Sequence, residues 1–559
     1  MIPVSARLSK RASPNRSFFP LVAALMMTGG ACGPAQRSGP ELVEGRLAIL
    51  PFTSAEEQFT AAMNAAVTAA AGDVTGAETV PVERSGKIPV DAPLAAIASE
   101  TGASMILRGT VSRLNGDITI LAEIVDPTDE NRKHVLPTET APATNPSVAV
   151  ERIASRTAGA LAQHLDPDAT APWVYPAPTL EAYRVFQHAD SLFAENAQAE
   201  ALPYYNEAQA LDTTFIAPLF AATAIHNNAG RGAVGDSLLR EIEARADRLD
   251  DMQRYRLMWY RGNPEEALAA AEAAAQLDPI GWTYGVGFRA NIAGHFHEAV
   301  DWLSRRHEQA EAGYHWAQAW PAFRAQYLLA LHATGDHETE LAEAQLARTD
   351  FPDNAWWIFN EMMARAGLGQ ADVVLAQFDT TQMLLATNEL PSYWEAVEDI
   401  AVELMAHGQA EAGQSLQERV VDHYREVDNP FQLADALGFA GRPQEAFEVL
   451  APVLADITTP DPIGWYGAAA AISGDPATAA QVLARLESLP SATTGNNLRY
   501  QAAIQGALGN CDRAIELYRQ ATEAGYSYTS ARLEWWHRDW ETQPVRANCP
   551  GFQTLLDKG

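Results

Sequence analysis

The sequence predicts a mainly α protein: a tandem helical solenoid of about ten helical pairs preceded by a small α/β domain. Three observations predict it. A glycine-led pattern recurs through the C-terminal two-thirds, short apolar runs and one Asn-Gly turn occupy residues 46–126, and 559 residues exceed what one hydrophobic core organises. A hydrophobic share of 47% against a charged share of 20% suits a folded helical chain rather than a disordered one.

The first residues read as an export signal, 1–31. Arg7, Lys10, Arg11 and Arg16 precede an apolar run from Phe18 to Met27 that ends at Thr28-Gly29-Gly30-Ala31-Cys32. That run is about half of the roughly 20 residues a membrane-spanning helix needs. Small residues directly before a cysteine resemble the lipobox of bacterial lipoproteins. The resemblance implies lipidation of Cys32 and an exported protein anchored in the cell envelope. Gly29 stands where most lipoboxes carry Leu, so ordinary cleavage after Ala31 is the alternative; Gly33 in place of Asp suggests sorting to the outer membrane. Residues 32–45, with Gly, Pro and Ser, read as a lipid-anchored tether.

Order is expected from Arg46. Leu47-Ala48-Ile49-Leu50-Pro51-Phe52 reads as a buried strand, 55–71 as an Ala-rich helix, and 93–99 as a second helix. Residues 104–111 and 117–125 read as strands joined through Asn115-Gly116, the strongest short hairpin signal in the chain. A helix over 147–165 completes an α/β layer domain, 46–166. The runs 48–52, 102–111 and 118–126 resemble the TolB amino-terminal-like domain, which implies a binding or sensing module without catalysis of its own. Pro127-Thr128-Asp129-Glu130 departs from that family's usual Thr-Gly turn.

Residues 167–178, with Pro167, Pro172, Pro176 and Pro178, read as a linker. From 179 a beat sets in: Gly, a small or apolar residue five later, and two more at four and seven beyond that. It runs Gly262 (Ala267, Ala271, Ala274), Gly294 (Ala299, Leu303, Arg306), Gly335 (Glu340, Ala344, Ala347) and Gly369 (Val374, Phe378, Thr381). It continues with Gly408 (Gly413, Gln417, Val420), Gly441 (Ala446, Leu450, Val453), Gly474 (Ala479, Leu483, Leu486) and Gly509 (Ala514, Tyr518, Ala521). Asn196 opens an earlier copy with Ala201, Tyr205 and Ala208, and a degenerate copy fits near Gly230. Gly allows a tight turn between antiparallel helices, and the small residues let the second helix pack closely on the first. Successive glycines lie 32, 41, 34, 39, 33, 33 and 35 residues apart. That spacing and those residue types resemble the tetratricopeptide repeat, over 179–545; an unrelated helical bundle is the alternative. Pro279 and Pro352 close second helices as that family does.

The end, from Leu508-Gly509-Asn510-Cys511 through Trp540 to Leu556, is similar to the closing segment of many bacterial members, with 546–559 as a C-terminal cap over the last apolar face. With Cys32 assigned to lipid, Cys511 and Cys549 remain as a plausible disulfide pair in an oxidising compartment, two free thiols being the other reading.

Catalytic signatures are missing: there is no Walker loop, no His-Glu-x-x-His and no Gly-x-Ser-x-Gly. His295 and His297 flank Phe296 but do not share a helix face, so no metal site and no cofactor are expected. Net charge is −32, or −36 once the four basic leader residues are gone (35 basic against 71 acidic). Nucleic acid is thereby disfavoured, while a basic protein or peptide is drawn in; solubility alone also explains the charge. Trp356-Trp357, Trp316 with Trp320, and Trp535-Trp536 with Trp540 read as core or as a stacking surface.

Counting back from each Gly places Arg256, Trp259, Tyr284, Asn291, His332, Trp356, Asp435, Asn496 and Arg499 on the first helices, which line the concave face in the tetratricopeptide family. The expectation is a non-enzymatic, envelope-anchored scaffold or sensor binding a protein or peptide there. The alternative is a lipid-anchored glycan- or nutrient-binding protein of helical-repeat type.

Overall fold

The computed structural model describes residues 42–53, 57–82, 92–166, 169, 173–195, 197–305, 321–352, 355–377, 393–455, 457–524 and 539–552. The expected leader, Cys32 and most of the tether lie outside them, as do Asn196, Arg306, Trp316, Trp320, Phe378, Thr381, Trp535 and Trp536.

The α/β domain is built on six strands: β1 (Val43–Ile49), β2 (Glu78–Pro81), β3 (Ala103–Leu114), β4 (Asp117–Asp126), β5 (Asp129–Val135) and β6 (Glu139–Pro142). Their order is β2-β1-β3-β4-β5, with β6 also on β4; β1 runs parallel to β2 and β3, and the other pairings are antiparallel. Asn115 and Gly116 both take positive φ (54° and 89°), the conformation a two-residue hairpin turn requires. Alternate residues of β1 face opposite ways. Leu47 and Ile49 pack with Met105 and Leu107 under helices α1 (Glu57–Ala71) and α3 (Ser147–His164), while Ala48 and Leu50 pack with Ile106 under α2 (Leu94–Thr101). This two-sided burial explains the unbroken apolar run.

Three strands were not expected. β2 and β6 are four residues each, and β5 is the charged run Asp129–Val135. β5 follows a turn in which the Asp126 carboxylate accepts from the amide (2.8 Å) and hydroxyl (2.6 Å) of Thr128. A side-chain turn of this kind replaces a glycine turn by letting the carboxylate accept where a backbone carbonyl otherwise would.

From Leu180 the described residues are chiefly helical. Pairs form from Leu180–Ala194 with Gln198–Leu211, Ala217–Asn228 with Gly232–Glu243, Asp251–Arg261 with Pro264–Leu277, Thr283–Ala293 with Phe296–Ser304, and Pro321–Thr334 with His337–Asp350. They continue with Ala355–Gly367 and the helical residues 371–377, then Tyr393–Ala406 with Ala410–Glu426, Pro430–Phe439 with Pro443–Leu450, Pro460–Ile472 with Pro476–Ser488, and Gly495–Ala507 with Cys511–Glu523. These ten pairs make a tetratricopeptide-like solenoid behind the small α/β domain.

The beat is a burial beat. Ala267, Ala271, Ala274, Ala299, Leu303, Ala344, Ala347, Val374, Val420, Ala446, Leu450, Ala479, Leu486, Ala514, Tyr518 and Ala521 are fully buried. Seven of its glycines, from Gly294 to Gly509, take φ between 68° and 86°, as does Gly230 (69°) in the degenerate copy. Gly262 differs, with φ −65° and ψ 154°. The next helix begins at once with Asn263 as its cap and Pro264 in its first turn, so the connection is extended rather than left-handed.

First helices of successive pairs touch one another, Thr283–Ala293 with Pro321–Thr334 and Pro460–Ile472 with Gly495–Ala507, whereas the second helices make no comparable contact among the described residues. First helices therefore form the inner wall of the stack.

The expected linker is an ordered strap where described. Trp173 stacks on His134 of β5 (5.1 Å between ring centres) and meets His164 of α3 edge-on (4.2 Å), and Ala177 is buried. The Tyr175 hydroxyl donates to Asp278 at 2.8 Å, tying the strap to the third pair. At the other end a short helix, Gln543–Asn548, sets Val545, Cys549 and Phe552 against Leu498, Leu517 and Tyr518 of the last pair. Cys511 and Cys549 are joined in a disulfide.

Candidate functional site

The inner wall of the second to fourth pairs carries an arginine–aromatic patch. Arg256 and Trp259 stand on Asp251–Arg261, one turn apart; Tyr284, Phe288 and Arg289 stand on the next first helix, Thr283–Ala293. The Arg289 guanidinium lies 4.1 Å from the Trp259 ring centre and 5.6 Å from that of Phe288, and donates to the Trp259 carbonyl. Burial pushes Arg289 down to about 10 and the Tyr260 hydroxyl up to about 12, and it raises Tyr284 as well. Trp259 donates its indole N–H to Gly285 (3.3 Å) and Tyr284 stacks on Phe288 (5.7 Å).

Arg256 is different. It is half-buried, makes no hydrogen bond or salt bridge among the described residues, and sits 5.7 Å from the Phe220 ring centre and 5.6 Å from that of Trp282. Nearby, burial pushes the Asp190 carboxyl up to about 7 although Tyr205 donates to it at 2.5 Å and Arg256 pulls it down. A half-buried guanidinium among rings has strong donors and weak local acceptors, so it suits carbonyl or carboxylate oxygens on a partner.

The remaining expected wall residues divide. Trp356 is half-buried and, with Phe359, Asn360 and Met363, lines a cavity of about 280 Å³; Asn496 is half-buried and donates to Asp461 at 3.0 Å. Asn291, His332, Asp435 and Arg499 are buried, which corrects their assignment to an open groove. Asn291 donates to the Gln326 carbonyl and side chain, both at 3.0 Å. Asp435 accepts from the Trp540 indole (3.1 Å), and Arg499 pairs with Asp539 (2.6 Å) and Glu541 (2.9 Å). The last two are covered by the chain's own segment 539–542, which lies on the inner wall; a side chain on Gly438 would strike Trp540 at 2.2 Å. Burial, and then Asp539, pushes the Glu541 carboxyl up to about 7.

Trp357 is fully buried and Trp540 nearly so; no tryptophan among the described residues is exposed. His295 is exposed beside Glu265 (3.3 Å) and Glu298 (3.5 Å).

The fold is that of a tetratricopeptide-like solenoid. No protein-family model matches the chain, and no curated protein matches it. Among solved structures it is similar to one described as the P58(IPK) TPR domain, at 14% identity and a TM-score of 0.17, over 68% of this chain and 99% of that chain. At that score the two backbones superpose poorly as whole bodies, and the repeat architecture stands on the helix pairing and burial beat above. No described helix is long and apolar enough to cross a membrane.

A cluster that the sequence reading missed surrounds His332. Its Nδ1 lies 3.1 Å from each Glu340 oxygen and its Nε2 3.5 Å from Glu403; His337 Nδ1 lies 2.9 Å from Glu340, and His407 Nε2 2.7 Å from Glu403. Burial acts to lower His332, but the two carboxylates outweigh it and hold the imidazole well above its ordinary range. Two signals were available: Glu340 is a polar exception in the beat, and Glu403 and His407 stand four apart, on one helix face.

Proposed function

We propose that the chain is a non-enzymatic scaffold or sensor that binds a protein or peptide partner along the inner wall of its repeats. Arg256 carries this reading: a guanidinium on the wall, without an acceptor among the described residues and flanked by Phe220 and Trp282. Aromatic rings with arginine are the composition of binding hot spots. The net charge of −32 adds long-range attraction for partners with basic surfaces.

The envelope location belongs to the same proposal, with Cys32 as the lipidated residue and the α/β domain as a TolB-like sensing module. Support comes from the leader pattern and from the docking of that domain onto the first pair. Glycan capture is favoured less, because it asks for an exposed tryptophan platform and the Trp259 face is covered by Arg289.

Recovery of partners from detergent-solubilised membranes by the intact protein and by Arg256→Ala tests the reading. Loss of specific partners with Arg256→Ala, but not with Arg261→Ala, is expected; equal recovery removes the wall proposal. Arg261 is the control because it is already paired with Asp236 and Glu243. A Cys32→Ala form that still fractionates with membranes would contradict the anchor.

A further inference from the structure

We propose that His337, Glu403 and His407 bind one divalent transition-metal ion of the zinc class inside the array, with Glu340 and His332 as the shell that orients them. The five side chains come from three places in the chain. His332 and His337 flank the Gly335 turn of the fifth pair and Glu340 follows on its second helix; Glu403 and His407 stand at the end of the seventh pair's first helix. One ligand atom from each of His337, Glu403 and His407 lies within 4.8 Å of the others.

The chemistry selects these three. Glu340 Oε2 accepts from His337 Nδ1 at 2.9 Å, which fixes the tautomer and leaves Nε2 with its lone pair. That Nε2 is buried without a hydrogen-bond partner, on a residue only 6% exposed. A carboxylate behind a histidine whose far nitrogen is unsatisfied is the arrangement that prepares a metal ligand. Glu403 is fully buried and its Oε2 is met by His332 Nε2 at 3.5 Å, while its Oε1 is met by His407, so both carboxylate oxygens are contacted by imidazoles.

Charge and space point the same way. Glu340 and Glu403 bring two carboxylates into the interior, and imidazoles are the partners that the contacts above give them. A divalent cation is attracted to a buried site that holds two carboxylates. Gly367 of the sixth pair makes room for the ring: a side chain there would begin 2.6 Å from His337 Nδ1 and Cε1. Ligands about 2.1 Å from a tetrahedral ion sit about 3.4 Å apart, and the trio's ligand atoms all lie within 4.8 Å of one another, so side-chain adjustments on the order of 1 Å would seat the ion. His407, 26% exposed at its side chain, opens the site toward solvent and leaves a fourth position for water. Two imidazoles and one carboxylate, with no thiolate, suit Zn²⁺ or Co²⁺ over Mg²⁺ or Ca²⁺. The ion would tie the fifth pair to the seventh across the sixth.

The test uses the intact purified chain, stripped with chelator and titrated with Zn²⁺ by calorimetry and with Co²⁺ by visible ligand-field absorption. One equivalent of Zn²⁺ is expected, unaffected by millimolar Mg²⁺, together with ligand-field bands for Co²⁺. His407→Ala, at a partly exposed position and checked for fold by circular dichroism, is expected to weaken binding at least 100-fold and abolish the bands. Glu340→Gln is expected to weaken it by about 10–100-fold, the range for residues behind a ligand. His295→Ala, at the exposed turn, should change nothing. Absence of stoichiometric binding by the wild-type chain, or binding by His407→Ala equal to wild type, overturns the proposal.

Discussion

Arg156 and Asp212, buried and 56 residues apart, are joined at both ends of the guanidinium, Nη1 to Oδ2 at 2.7 Å and Nη2 to Oδ1 at 3.2 Å. Arg156 belongs to α3 of the α/β domain, and Asp212 caps the second helix of the first pair. Glu139 accepts from Arg156 Nε at 3.1 Å, and Asp212 also accepts from the Thr179 amide (3.1 Å) and the Thr214 hydroxyl (2.7 Å). Burial pushes the Asp212 carboxyl up, yet Arg156 and these donors outweigh it and hold it below its usual range. The α/β domain is therefore bolted to the array through a satisfied buried ion pair. Arg156→Ala is expected to strand that carboxylate at a cost of about 3–5 kcal/mol. The checks are the unfolding midpoint and protease sensitivity of the strap; a variant as stable and as resistant as wild type contradicts the bolt.

Two classes of glycine should respond differently to alanine. Gly474 sits at φ 86° with open space where a side chain would go, so Gly474→Ala is expected to cost only the left-handed backbone penalty, about 1–2 kcal/mol. Gly464 lies under the Tyr500 ring, with 2.1 Å available, and Gly464→Ala must displace a fully buried side chain. Denaturant melts should rank Gly464→Ala as the more destabilised; the reverse order would contradict the packing.

The disulfide closes a loop across the terminal cap, at a sequence separation of 38. In the chain-entropy model that closure contributes about 4 kcal/mol. Replacing both cysteines with serine is expected to lower the stability of the last pair, seen as faster amide exchange over 495–524 with little change over 42–166. Uniform exchange throughout would show that the cap is not a local clamp.

Acid sensitivity is expected where strap, sheet and α3 meet. Burial, aided by His164, pushes His134 down to about 3, and burial pushes His164 down to about 4. Between an unfolded value of about 6.5 and those folded values, the unfolded chain binds protons that the folded chain refuses. Stability from this site is thus present above about pH 6.5 and falls as pH falls, by about 1.4 kcal/mol per pH unit for each imidazole. Asp190 and Glu541, pushed up to about 7, have the opposite sign and lose stability as pH rises from about 4. The readout is accordingly the difference between wild type and His164→Gln, which should shrink by roughly 2 kcal/mol from pH 7 to pH 5. Parallel curves would contradict it.

The array was legible because its physics is local: a turn residue and small side chains at fixed offsets leave a mark in sequence. Gly262 shows the limit, since Asn263 and Pro264 build a different turn at the same place. β5 was hidden because it is charged and largely exposed, and its pairing with Glu123–Asp126 is decided by the turn at Asp126 and Thr128. The expected wall residues lie on first helices, but two of them are covered from elsewhere in the chain. Asp435 meets Trp540, 105 residues away, and Arg499 meets Asp539 and Glu541. The His–Glu cluster was illegible for the same reason, as its halves lie some 65 residues apart in sequence and meet only when the sixth pair yields space at Gly367.

The most direct measurement places a photo-crosslinking amino acid at Tyr284, beside Arg289 on the inner wall, in the intact protein inside the cells that produce it. A discrete adduct is predicted, lost when Arg256→Ala is added and absent when the probe stands instead at Leu346, exposed on a second helix. No adduct at Tyr284, or the same adducts from Leu346, would contradict partner binding on this wall.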